Sequence, residues 1–207
     1  MTKKKSSAEG DTSFASLKTK GRKDRQEHII NAAERVFASK PFDQVSIRDI
    51  AREAGISHAS IYRYFPDQQT LFVEAFIRGG EKIIRFIGEM IEDDDSVTIE
   101  KVTDKFINFL VEDDQYFRMM THFMLDGSLG ADLIERLNAT ERLLLDQLDR
   151  LFVKLDVRGD KRMLSHAFFA AMNGVLITFR NYPGRSREDV ALHMKKVGRI
   201  IARKFKA

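Results

Sequence analysis

The chain contains no cysteine and no tryptophan, and only three prolines in 207 residues. Without cysteine there can be no disulfide and no thiolate metal site. With so little proline and almost no strand-like alternation, an all-helical fold is expected. No apolar run is long enough to span a bilayer; the most apolar stretch, residues 167–179, is interrupted by Asn173 and Gly174. The early lysines are followed by no apolar run, so no secretory signal is expected and a cytoplasmic location is. The spacings that catalysis needs are missing too. His28, His58, His122, His166 and His193 form neither a His-x-x-His nor a His-Glu-x-x-His pattern, and no Gly-x-Ser-x-Gly elbow occurs. Gly79 and Gly80 lack the downstream Lys-Ser/Thr of a phosphate loop. No enzyme, cofactor or metal is expected.

What is present is an ordinary globular composition, 43% hydrophobic and 32% charged, with length for one large or two small domains. The net charge of +4 is unevenly placed: residues 1–24 carry seven Lys or Arg against three acids, and the remainder is balanced. Residues 1–24 therefore read as a disordered basic tail. It is either an arm adding phosphate or minor-groove contacts, or a solvated leader.

The segment SIRDIAREAGISHASIYRYF, residues 46–65, carries the most information. Ser46 is a good N-cap, and Ile47, Ile50, Ala51 and Ala54 share one helical face. Gly55 suits a turn that needs a left-handed backbone. Ser57 caps a second short helix over 57–64, anchored inward by Ile61 and Phe65. A small residue at the crossing, a glycine turn and a branched anchor are the requirements of a helix-turn-helix. The second helix then presents Ser57, His58, Ala59, Ser60, Tyr62, Arg63 and Tyr64. Ala59 can meet a thymine methyl, and His58 and Ser60 can bond a base edge or a phosphate. Ser46 and Arg48 sit where they can hold the DNA backbone. Residues 25–39 form an amphipathic helix before the motif, a turn at 40–43 follows, and Phe42 and Val45 can close the small core.

These residues, with the downstream FPD at 65–67 and Leu71 and Phe72, closely resemble the DNA-binding domain of the TetR (tetracycline-repressor-like) regulators. The resemblance covers residues 25–72. It implies phosphate contacts by Tyr62 and Tyr64, although Gln68 stands where that family usually has a phosphate-gripping lysine. It also implies a ligand-responsive regulator, more a repressor than an activator. Such a regulator binds palindromic double-stranded operator DNA as a homodimer, and its helical second domain takes a small molecule and dimerises through its last two helices. The alternative is an effector-free DNA-binding adaptor or architectural protein.

The fold class is thus all-α: a three-helix helix-turn-helix domain at 25–72 and six helices at 73–207. Ala167, Ala170, Ala171 and Gly174 offer close helix approach, and Met194, Val197 and Ile201 lie on the final helix beside them. These seven are the expected dimer contacts. Phe106, Phe109, Tyr116, Phe117, Met120, Phe123 and Phe168, with His122 and Asn173 as polar anchors, are the expected pocket for a small apolar or amphipathic effector. The same Phe and Met residues would serve equally well in a filled core.

Overall fold

A computed structural model describes residues 9–41, 44–125 and 129–205, with side chains from residue 20 onward. Among the described residues the regular structure comprises nine helices: α1 (Glu9–Ser39), α2 (Ile47–Glu53), α3 (His58–Ile61), α4 (Gln68–Asp93), α5 (Ile99–Glu112), α6 (Asp114–Leu125), α7 (Ala131–Lys154), α8 (Lys161–Phe179) and α9 (Arg187–Lys204). None of these helices is long and apolar enough to cross a membrane. The chain forms two compact units, residues 1–75 and 76–207, and α4 contributes to both.

In the first unit, Ile29, Ala32, Ala33 and Phe37 of α1 are buried with Ile50 and Ala51 of α2, and with Ile61, Phe65 and Leu71. Phe37 and Phe72 meet edge to face at 4.7 Å. The expected turn residues Phe42 and Asp43 lie outside the described residues, as do Lys3, Lys4 and Lys5. Helix α1 begins at Glu9, so residues 9–24 are helical and not a disordered tail. The reason is cooperativity. Once 29–37 is packed, extending the helix upstream through proline-free sequence avoids a new nucleation step.

In the second unit α5 packs on α9, and α8 lies against both α7 and α9. One polar and one aromatic feature hold this arrangement. Arg180, just past α8, donates to the Leu110 carbonyl (2.8 Å) and pairs with Asp114, while its guanidinium covers the Phe117 ring at 4.1 Å. Phe152, Phe168 and Phe205 form a separate aromatic cluster, with Phe152 and Phe205 stacked at 5.8 Å. The caps follow the sequence: Thr98, Asp160 and Ser186 accept from the first-turn amides of α5, α8 and α9.

Candidate functional site

The exposed face of α2 and α3 is built by short-range polar bonds. Ser46 and Asp49 form a capping box: the Asp49 amide donates to Ser46 Oγ (3.3 Å) and the Ser46 amide to Asp49 Oδ2 (3.0 Å). Lys40 and Arg52 also pair with Asp49, at 2.5 and 2.6 Å. The Lys40 and Ser46 hydrogen bonds together hold the Asp49 carboxyl far below the usual carboxylate range. Helix α2 stops in a Schellman turn. The Gly55 and Ile56 amides donate to the Arg52 and Ala51 carbonyls (3.2 and 3.0 Å), and Gly55 has φ +65°. The Ser60 amide then donates to Ser57 Oγ (3.2 Å), capping α3.

This frame buries Ile61 and Phe65 and turns the other α3 residues outward. Ser57, His58, Ala59, Tyr62 and Arg63 are exposed, and Ser60 and Tyr64 are half-buried. The rings of His58 and Tyr62 meet edge to face at 5.0 Å. Arg48 is exposed on α2, whereas the Ser46 hydroxyl is engaged in its cap and faces the cap partner, Asp49. Helix α3 itself ends at Ile61, earlier than the expected 64, and Tyr62 to Tyr64 lie in the following turn. The turn is closed by the Tyr64 and Phe65 amides, which both donate to the Ile61 carbonyl (2.9 and 3.0 Å).

Two residues join this surface that sequence patterning did not single out. His28 of α1 bonds the Ala54 carbonyl through its ring nitrogen (2.9 Å), fixing α1 to the end of α2. Arg25 donates to the Tyr64 hydroxyl (3.4 Å), and both line a cleft of about 390 Å³ with His28, Ser60 and Arg63. Gln68 is turned inward, donating to the Val45 carbonyl (3.0 Å). The residue in place of the family's lysine is therefore a structural tie within this unit.

The second unit contains a cavity of about 380 Å³ bounded by α4, α5, α6, α7 and α8. Of the expected pocket residues, Phe106, Tyr116, Met120 and Phe123 line it. Phe109, Phe117, His122, Phe168 and Asn173 do not. Phe109 lies behind Tyr116 (5.2 Å), Phe117 is covered by Arg180, and Phe168 belongs to the Phe152 cluster. His122 is exposed, and the buried Asn173 Oδ1 lies away from the lining, without a hydrogen-bond partner among the described residues. Phe76, Phe169, Asn138, Thr140 and Glu141 take their places.

Tyr116 is positioned by glycine. A Cβ on Gly79 would come within 2.4 Å of its ring, and one on Gly80 within 2.9 Å of its hydroxyl. The ring therefore lies against bare α4 backbone and stacks on Phe76 at 4.7 Å. Burial, helped by the Asp113 charge, raises the Tyr116 hydroxyl far above its ordinary range, so it stays protonated.

The outer face of α8 exposes Ala167, Ala170, Gly174, Met163 and Ile177, and that of α9 exposes Leu192 and Ile200. Ala171, Val197 and Ile201 are half-buried. Met194 points into the core of its own unit at 1% exposure, which removes it from the expected dimer contacts. The α9 stripe that carries it is turned toward α5 and α8.

Residues 29–75 match the family described as bacterial regulatory proteins, tetR family. An uncharacterised HTH-type transcriptional regulator of Haemophilus influenzae is 32% identical over 101 residues, 47% of this chain and 49% of that protein. The chain thus spans about half the length, or less, of the first curated relatives it matches. The fold is similar to that of a TetR-family transcriptional regulator from Mesorhizobium loti (TM-score 0.69, 19% identity, 86% of this chain and 95% of that one). It is also similar to FadR from Bacillus subtilis, solved in complex with stearoyl-CoA (TM-score 0.68, 19% identity, 85% and 97% covered). The helix-turn-helix geometry and the family match thus fall on the same residues: residues 29–75 match the tetR family of bacterial regulatory proteins, and the fold of the chain is similar to that of solved TetR-family regulators.

Proposed function

We propose that the protein is a ligand-responsive transcriptional repressor that binds a palindromic operator as a homodimer. The observation that carries this reading is the α2–α3 surface, where Arg48, His58, Ala59, Tyr62 and Arg63 project from a turn locked by Gly55 and anchored by Ile61. The small residues at the start of α3 let the backbone approach base edges, while Arg48, Arg63 and Tyr62 are suited to phosphates. Arg25 and Tyr64 extend the same phosphate-binding edge across the cleft they line.

Two further features support the finer parts. The uncovered apolar residues of α8 and α9 suit a four-helix interface between two copies. Gly174 has open space where a side chain would project, as expected of a face that a second helix approaches closely. The cavity falls within the roughly 300–1,000 Å³ of small-molecule sites. A ligand there touches Tyr116, and through its seat on Gly79 and Gly80 it acts on α4, whose first residues belong to the DNA-binding unit. Such a ligand shifts DNA affinity only by binding one arrangement of α4 more tightly, an effect typically of about 1–3 kcal/mol.

The test is selection of bound fragments from genomic DNA with the full chain, followed by footprinting. Protection of an inverted repeat by two copies supports the reading. Uniform protection without a repeat would contradict it and favour an effector-free DNA-binding adaptor.

A further inference from the structure

We propose that the cavity of the second unit selects a positively charged amphiphile, with its apolar part among the aromatic rings and its cationic head at Glu141. This rests on the reading of the cavity as an effector site and goes further by assigning the charge of the ligand. Glu141 is the one charged residue in the lining among the described residues, and no Lys, Arg or His lines the cavity with it. Among the described residues no ion pair engages its carboxylate, and the neighbouring Arg142 pairs with Glu135 (2.5 Å). The other polar groups in the wall, Asn138, Thr140 and the protonated Tyr116 hydroxyl, are neutral.

The physical consequence is an ordering of ligands. Glu141 is exposed where it lines the cavity, so an anionic head group there would bring like charge against it, a repulsion strongest at low ionic strength. A neutral amphiphile gains only burial of its chain. A cation gains the carboxylate and also the faces of Phe76, Phe106, Tyr116, Phe123 and Phe169, since aromatic walls are the usual seat of quaternary ammonium groups. Among the described residues the wall also offers no cationic group for the phosphates of a coenzyme A ester.

Calorimetric titration of the full chain at neutral pH with octyltrimethylammonium, 1-octanol and octanoate separates these cases. The expected result is that the ammonium binds about tenfold more tightly than the alcohol and that octanoate is weakest. Glu141→Gln should then weaken the ammonium by about tenfold and leave 1-octanol unchanged, which also shows that the cavity is intact. If octanoate or 1-octanol binds as tightly as the ammonium, or if Glu141→Gln leaves the preference in place, the charge assignment is wrong while the effector cavity stands. If none of the three binds to the folded chain, the effector reading falls with it.

Discussion

The α2–α3 surface and the cavity of the second unit are specified by different kinds of information. Around Gly55, the caps and the turn that shape the surface link residues close in sequence: Ser46 with Asp49, Ser57 with Ser60, and the Gly55 turn with Ala51 and Arg52; the longer-range bonds of His28 and Arg25 fasten α1 to this locally built frame. The cavity has no such local code, because its wall gathers residues from five helices, from Phe76 to Phe169. A motif that must present the same side chains to a regular duplex is best fixed locally. A pocket needs only a void at the right place, and that is set by how whole helices pack.

This contrast can be broken experimentally, beginning with the largest effect. Ile61→Ala empties a fully buried site under α3 and should cost about 2–5 kcal/mol. Chemical unfolding of the full chain should show the loss in a transition that also abolishes DNA binding, while binding of octyltrimethylammonium persists. The mirror experiment is Gly79→Ala. Its Cβ would meet the Tyr116 ring at 2.4 Å, and overpacking of this sort costs about 1–3 kcal/mol. Ligand affinity should fall in calorimetry, with unliganded DNA binding nearly unchanged.

Ser46→Ala removes one side of the capping box and should cost about 1 kcal/mol, seen as a lower unfolding midpoint. The smallest effect is on acid sensitivity. Asp49 and Asp114 both have folded carboxyls held below the unfolded range of about 3.9. For Asp114, burial opposes ionisation but is outweighed by Arg180 and Arg118. Carboxyls depressed in the folded state stabilise the protein above the unfolded value, and that contribution is lost as pH falls through the folded one. Both units should therefore weaken below about pH 4. Lys40→Met removes the main partner of Asp49 and should flatten this dependence in the first unit alone, as read by unfolding midpoints between pH 5 and 3.

The same contrast governs what could be read from the amino-acid order. The caps, the Gly55 turn, the burial of Ile61 and Phe65 and the succession of helices follow from local chemistry and apolar spacing. The extent of α1 was misread because a charged, proline-free segment without an apolar face is helical only by extension from its packed neighbour. The cavity was half legible. An excess of Phe and Met marked its neighbourhood, but not which rings face the void, since Arg180 claims Phe117 and Phe152 claims Phe168. Two signals were available. Gly79 and Gly80 in mid-helix each cost about 1 kcal/mol relative to alanine, which points to something packed on that backbone. Asn138 and Glu141, both exposed, border the α7 stripe of Ile134, Leu137 and Leu144, placing polar groups beside the apolar wall of the cavity.

The central claim is that the α2–α3 surface reads base sequence, and its most direct test is discrimination by a variant that leaves the frame intact. His58 is exposed and its ring meets the Tyr62 ring edge to face at 5.0 Å on the surface, so His58→Ala should not unfold the unit. On the selected operator and its single-base variants, wild type should lose about 1–3 kcal/mol per substitution beneath α3. His58→Ala should lose that discrimination at one base pair in each half-site and retain it elsewhere. If the variant discriminates all positions as wild type does, α3 does not read bases through His58. If neither protein discriminates at any position, the surface binds DNA without reading it and the claim fails.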